Sequence, residues 1–226
     1  MRPFLVPESV RELKDQYPSA RQLLQAASGG SDARLALVQL WITEGIPYAF
    51  KDCPAAYASM RAWLADRLDI HPKEVSLTGS GRFGQSWVPK KHGAPFGPQS
   101  DLDLFLVSST FFARLKRDFV QWREEYDRGE VTPRSDREVT FWEDHRRRGP
   151  LNIQWGFLDS WMIPTWPRYE TAQQLADTLW RLTRKLKATP GGPAVKRASM
   201  RVYRDFTSLA KQEARNLERA WMDVAL

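Results

Sequence analysis

The chain has 226 residues, 42% of them apolar and 27% charged, with a formal net charge of +7. So many bulky apolar side chains exclude a disordered chain, and the length suffices for one sizeable core with or without a helical appendage. The one cysteine, Cys53, excludes an internal disulfide; no apolar run reaches the ~20 residues of a membrane span and no signal-peptide pattern opens the chain, so a cytoplasmic protein without a membrane partner is expected.

In chain order, Pro7 to Tyr17 and Ser19 to Ala27 read as short helices, broken by Gly29-Gly30-Ser31. Asp32 is placed to N-cap a helix over Ala33 to Glu44, with Leu37, Leu40 and Trp41 on one stripe and Gly45 as its stop. Pro54 opens a further helix, where its missing N–H is harmless, with Tyr57, Met60, Trp63, Leu64 and Leu68 as the buried face. Glu74 to Thr78 reads as a short strand. Gly84 to Ser100 carries three prolines and two further glycines and reads as loop. Asp101 to Val107 is the clearest strand: Leu102, Leu104 and Leu106 face one way, Asp101 and Asp103 the other. Ser109 to Tyr126 reads as a helix with Phe112, Leu115, Phe119 and Trp122 on one side, and Asp127 to Asp136 as polar loop. Leu151 to Asp159 reads as a strand, Thr171 to Lys187 as a helix, Pro190-Gly-Gly-Pro193 as a hinge, and Lys196 to about Asp223 as one long helix. Trp63, Trp122, Trp180 and Trp221 fall in helical stretches and are expected in the core. His71, His92 and His145 are far apart and show no zinc spacing.

The run Gly79-Ser-Gly81-Arg-Phe-Gly84 fits G-x-G-x-x-G after a strand, the pattern of a dinucleotide site. That site needs a helix immediately after the glycines and an acid at a strand end. Here Pro89, Pro95 and Pro98 follow, and Asp101 and Asp103 begin their strand. Kinase and P-loop patterns are absent, since Gln85 and Ser86 stand where Lys and Ser/Thr would be required.

Two carboxylates at i and i+2 on a strand share a face and repel unless a cation lies between them. Mg²⁺ is commonly held by one or two carboxylates together with substrate phosphates. A strand ending in Gly79-Ser80, a loop, and Asp101-Leu-Asp103 on the next strand resembles the DNA polymerase β-like nucleotidyltransferase superfamily. The likeness is strongest from Val75 to Val107. Within that superfamily it is similar to bacterial nucleotidyltransferase-domain proteins of unassigned substrate, some of them near phage-defence genes. The resemblance implies an α+β fold: a small mixed sheet with helices over 46–167, a helical region over 1–45, and a helical C-terminal region over 168–226. It implies transfer of a nucleoside monophosphate from an NTP to a hydroxyl acceptor, with Mg²⁺ or Mn²⁺. Gly79 would let the triphosphate approach the backbone, and Ser80 would hold a phosphate oxygen. Asp101 and Asp103 would bind metal. Arg82, Lys90, Lys91 and Ser100 are grouped with the substrate by proximity. The 20 residues between Ser80 and Asp101 exceed the superfamily's usual spacing.

The superfamily normally adds a third acid from a later strand. Asp159, at the end of Asn152 to Leu158, is the candidate catalytic and metal-binding residue; Gln154 could take that strand position instead, and Glu138 or Glu143 enter if the stretch near Val139 is a strand. Without a third acid, the alternative is a degenerate fold that binds nucleotide, RNA or a protein partner. Arg197, Arg201, Arg204, Lys211, Arg215 and Arg219 fall at helical spacing along the expected final helix. They form either a stripe for RNA or tRNA phosphates or a solvated face. His145-Arg-Arg-Arg148 and Arg181, Arg184, Lys185 and Lys187 are further basic clusters.

Overall fold

The computed structural model describes Phe4 and residues 6–225; residues 1–3 and 5 of the expected N-terminal region and residue 226 lie outside the described residues. The architecture is α+β. A four-stranded mixed sheet in the order β1-β2-β4-β3 is formed by β1 (Val75–Leu77), β2 (Asp101–Val107), β3 (Phe157–Asp159) and β4 (Arg197–Tyr203). β2 is antiparallel to β1 and parallel to β4, and β3 is antiparallel to β4. Around the sheet lie α1 (Glu8–Arg11), α2 (Ala20–Ala27), α3 (Ser31–Leu37), α4 (Pro54–Leu68), α5 (Gly79–Phe83), α6 (Ser109–Asp127), α7 (Asp136–Trp155), α8 (Glu170–Ala188) and α9 (Phe206–Ala225).

Alternation along β2 builds the larger core. Leu102, Leu104 and Leu106 are buried among Leu64 of α4, Trp122 of α6 and Leu182 of α8. Each such side chain stabilises the fold by about 1.5–3 kcal/mol over its exposed state. On the opposite face Phe105, Phe157 and Tyr203 share a second core with α2, α3 and α9. That cover lies over the Phe105 end of β2 and leaves the Asp101–Asp103 end partly open.

Several elements differ from the sequence expectation. The helix expected over Pro7 to Tyr17 is the single turn α1, and α3 begins at Ser31 with Gly30 at the N-cap position, then passes into a π turn over Val38–Ile42. The strand expected over Leu151 to Asp159 exists only as β3, because α7 runs on to Trp155. Ser135 Oγ caps that helix by accepting from Glu138 N at 3.3 Å, and Gly156 at φ +83° ends it. Pro150 removes one helical hydrogen bond from α7. Trp142, His145 and Gly149 nevertheless bury one side of the helix, and Gly149 packs so closely that an added Cβ would lie 1.9 Å from the Phe119 ring. Glu138, Glu143 and Gln154 are therefore helical residues, not strand residues.

The long helix expected from Lys196 to Asp223 is two elements. Arg197–Tyr203 forms β4, the parallel partner of β2, and Asp205 then caps α9 by accepting from Ser208 N at 2.7 Å. The sheet therefore draws a strand from the region expected to be wholly helical. Trp122 is fully buried, whereas Trp180 is 59% exposed beneath the Arg184 guanidinium. Among the described residues, no helix is long and apolar enough to cross a membrane.

Candidate active site

Residues opposite one another on paired strands point to the same face. The register Asp101↔Arg197, Asp103↔Ser199 and Phe105↔Arg201, with Asp159↔Arg201 across the next seam, gathers these side chains on one side of the sheet. Arg197 Nη2 donates to Asp101 Oδ2 at 2.8 Å, and Ser199 Oγ donates to Asp103 Oδ1 at 2.7 Å. The Arg201 guanidinium donates to both oxygens of Asp159, at 2.7 and 3.1 Å. Glu213 of α9 is buried near the same guanidinium and accepts from Tyr203 Oη at 2.8 Å.

The Gly79 turn abuts this face. Thr78 N donates to Asp103 O at 2.9 Å, and Gly79 follows with φ +62°. A Cβ added at Gly79 would lie 3.3 Å from Asp103 Oδ2, so glycine serves here both for its dihedral and for close approach. Burial pushes the Asp103 carboxyl above the usual carboxylate range; the Ser199 hydrogen bond opposes that shift and the Asp101 charge adds to it.

Asp103 stands between two cavities. One, of about 350 Å³, is bounded by Thr78, Gly79, Trp87, Arg201 and Arg219. The other is an open cleft of about 1360 Å³ lined by Asp101 and Asp103 together with residues of α7 and of the segment after β3. The 20-residue stretch between Ser80 and Asp101 folds back on itself: Gly93 N donates to Ser86 O, Ser86 N to Ala94 O and Phe96 N to Gly84 O. Trp87 pins it in the second core.

The donor set fits a divalent cation shared with phosphate. Asp101 Oδ1 and Asp103 Oδ2 have no hydrogen-bond partner among the described residues, and both carboxylates lie on one face at i and i+2. Such a pair, completed by substrate oxygens, suits Mg²⁺ or Mn²⁺. Asp159 does not complete it. β4 separates its strand from β2, which places the two backbones about 10 Å apart, and both its oxygens are occupied by Arg201. Among the described residues, no three or more His, Cys, Asp or Glu gather as a ligand group.

The other expected site residues scatter. Arg82 is buried and donates to the carbonyls of Ile42, Glu44 and Ile46, so it braces the chain behind the Gly79 turn and does not face phosphate. Ser100 Oγ accepts from Gly97 N at 3.1 Å and fixes the bend before β2. Ser80 is half-buried in α5. Lys90 and Lys91 are exposed on a 3₁₀ turn, Pro89–Lys91, that packs beside α9. The stripe expected along one helix is divided. Arg197 and Arg201 are sheet residues paired with Asp101 and Asp159, and Arg219 borders the smaller cavity. Arg204, Lys211 and Arg215 instead gather on a separate patch beside Trp155.

Sequence reasoning missed Ser199 and Glu213, and misassigned Arg197 and Arg201. A signal was present, because Arg197-Ala-Ser-Met-Arg-Val-Tyr203 alternates polar and apolar residues with the period of a strand. Compared with known proteins, the chain matches no family model, no curated protein and no solved structure.

Proposed function

We propose that the chain is a nucleotidyltransferase that moves a nucleoside monophosphate from an NTP to a hydroxyl acceptor. The observation that carries this reading is the fit of the Gly79 turn against Asp103, beside the open Asp101–Asp103 pair. The absence of a side chain at Gly79 lets a phosphate chain reach the two carboxylates. Asp101 and Asp103 would hold a divalent cation, which when bound would neutralise phosphate charge and activate the reacting oxygens. Arg219, at the rim of the smaller cavity, offers a further positive charge toward phosphate. The acceptor oxygen bonds to the α-phosphorus, the α–β bridging P–O bond breaks, and pyrophosphate leaves with that electron pair. The hydroxyl proton passes to solvent.

A second reading has two observations in its favour. The residue directly across from Asp103 on the neighbouring strand is Ser199, and Asp159 is neutralised by Arg201. A chain arranged in this way could bind nucleotide without transferring it. Incubation with each labelled NTP, Mg²⁺ or Mn²⁺, and a mixture of RNA and small hydroxyl acceptors separates the two readings. The transferase reading expects labelled product and pyrophosphate, both reduced at least a hundredfold by Asp101→Asn and by Asp103→Asn. NTP binding without pyrophosphate release under every condition would select the second.

A further inference from the structure

We infer that the large cleft beside Asp101 and Asp103 binds single-stranded nucleic acid, and that it is the acceptor site of the proposed transferase. Its role as acceptor site rests on that reading; its binding does not. The cleft combines exposed rings with unneutralised arginines. Trp161 is 52% exposed and Phe141 43% exposed. Both rings flank His145, at 4.9 and 5.9 Å between centroids. Large aromatic surfaces left open in a concave site serve as stacking platforms for bases.

Cations interleave with these rings. The Arg137 guanidinium lies 5.5 Å from the Phe141 ring centre, and that of Arg134 lies 5.3 Å from the Trp166 ring centre. Neither side chain forms an ion pair among the described residues; the nearby Glu138 carboxylate instead accepts from the Arg134 backbone N–H. Their charge is therefore available to phosphates. Arg168 is partly neutralised by Glu125, and Arg197 by Asp101. His145 is buried between the two rings and holds them on the wall of the cleft.

Rings for stacking beside arginines for phosphates suit a single strand, whose bases are free to stack; the bases of a duplex are not. The cleft volume of about 1360 Å³ also exceeds the ~300–1,000 Å³ of an ordinary small-molecule pocket. Because Asp101 and Asp103 line the cleft, a strand bound in it can reach the carboxylate pair.

The test is fluorescence anisotropy of the full chain with a labelled single-stranded RNA of about twelve nucleotides. The same sequence as single-stranded DNA, the duplex and a mononucleotide serve as competitors. Trp161→Ala is expected to weaken binding about tenfold or more, and Trp161→Phe to restore most of it. Arg134→Ala/Arg137→Ala is expected to weaken binding and to reduce the salt dependence by about one to two released ions. Lys211→Ala/Arg215→Ala, on the separate basic patch, is expected to change binding less than about twofold. Urea unfolding of each variant checks that these exposed substitutions leave the fold intact. Equal competition by duplex or mononucleotide would overturn the inference, as would unchanged binding in the Trp161 and arginine variants. Strand binding without transfer to any acceptor would leave the cleft assignment standing and remove the transferase reading. Transfer to another acceptor without strand binding would do the reverse.

Discussion

Asparagine at position 159 separates a structural carboxylate from a reacting one. The Asp159 side chain is 11% exposed and that of Arg201 30% exposed, and two charge-assisted hydrogen bonds join them across β3 and β4. Removing one partner of a buried pair costs about 3–5 kcal/mol, because the other charge is left uncompensated. Asparagine keeps one acceptor oxygen and Arg201 keeps some access to water, so Asp159→Asn is expected to cost about 2–3 kcal/mol. For a chain of this size that lowers Tm by roughly 5–10 °C. Arg201→Met should cost more, about 3–5 kcal/mol, since both Asp159 and the buried Glu213 lose their cation. The double variant should cost about 1–3 kcal/mol less than the sum of the two single changes. Urea unfolding followed by circular dichroism measures all three, and the transfer assay runs on the folded fraction. Asp159→Asn with the wild-type urea midpoint but no transfer would refute the reasoning and return Asp159 to the reaction.

Gly149→Ala places a methyl within the Phe119 ring, in a core with no space to give, and is expected to destabilise by about 1–3 kcal/mol, measured by urea unfolding. The raised Asp103 pKa carries a pH signature. Its favourable contribution to stability is fully present below the ordinary carboxylate pKa of about 4 and is lost as pH rises through the higher folded value. Asp103→Asn should therefore be more stable than the wild type at neutral pH, with the difference shrinking as pH falls toward 4 and below; a difference that grows on acidification would contradict the assignment.

What could be read from the sequence was local. Pro54 and the apolar face of Pro54–Leu68, and the alternation from Asp101 to Val107, each specify their element within a few residues. The strand–Gly-Ser–Asp-x-Asp order was equally visible. The sequence alone did not determine what covers and neutralises those residues. Arg197 and Arg201 sit at helical spacing and, with Ser199 between them, also alternate as a strand would, so local pattern left the segment ambiguous. The sheet decided it: residues 197–203 fill the place beside β2, with Arg197 meeting a carboxylate 96 positions away. The same long-range pairing moved Asp159 one strand beyond the Asp101–Asp103 pair and gave it to Arg201. Arg82 reads as a cation for substrate phosphate beside the glycines, yet its guanidinium donates to three backbone carbonyls, those of Ile42, Glu44 and Ile46. The cleft of rings and arginines arises because Arg137, Phe141 and His145 recur every four residues on α7 and line the same cleft as Trp161. Strand order, ion-pair partners and clefts depend on segments distant in the chain meeting in space, and only the tertiary structure decides those meetings.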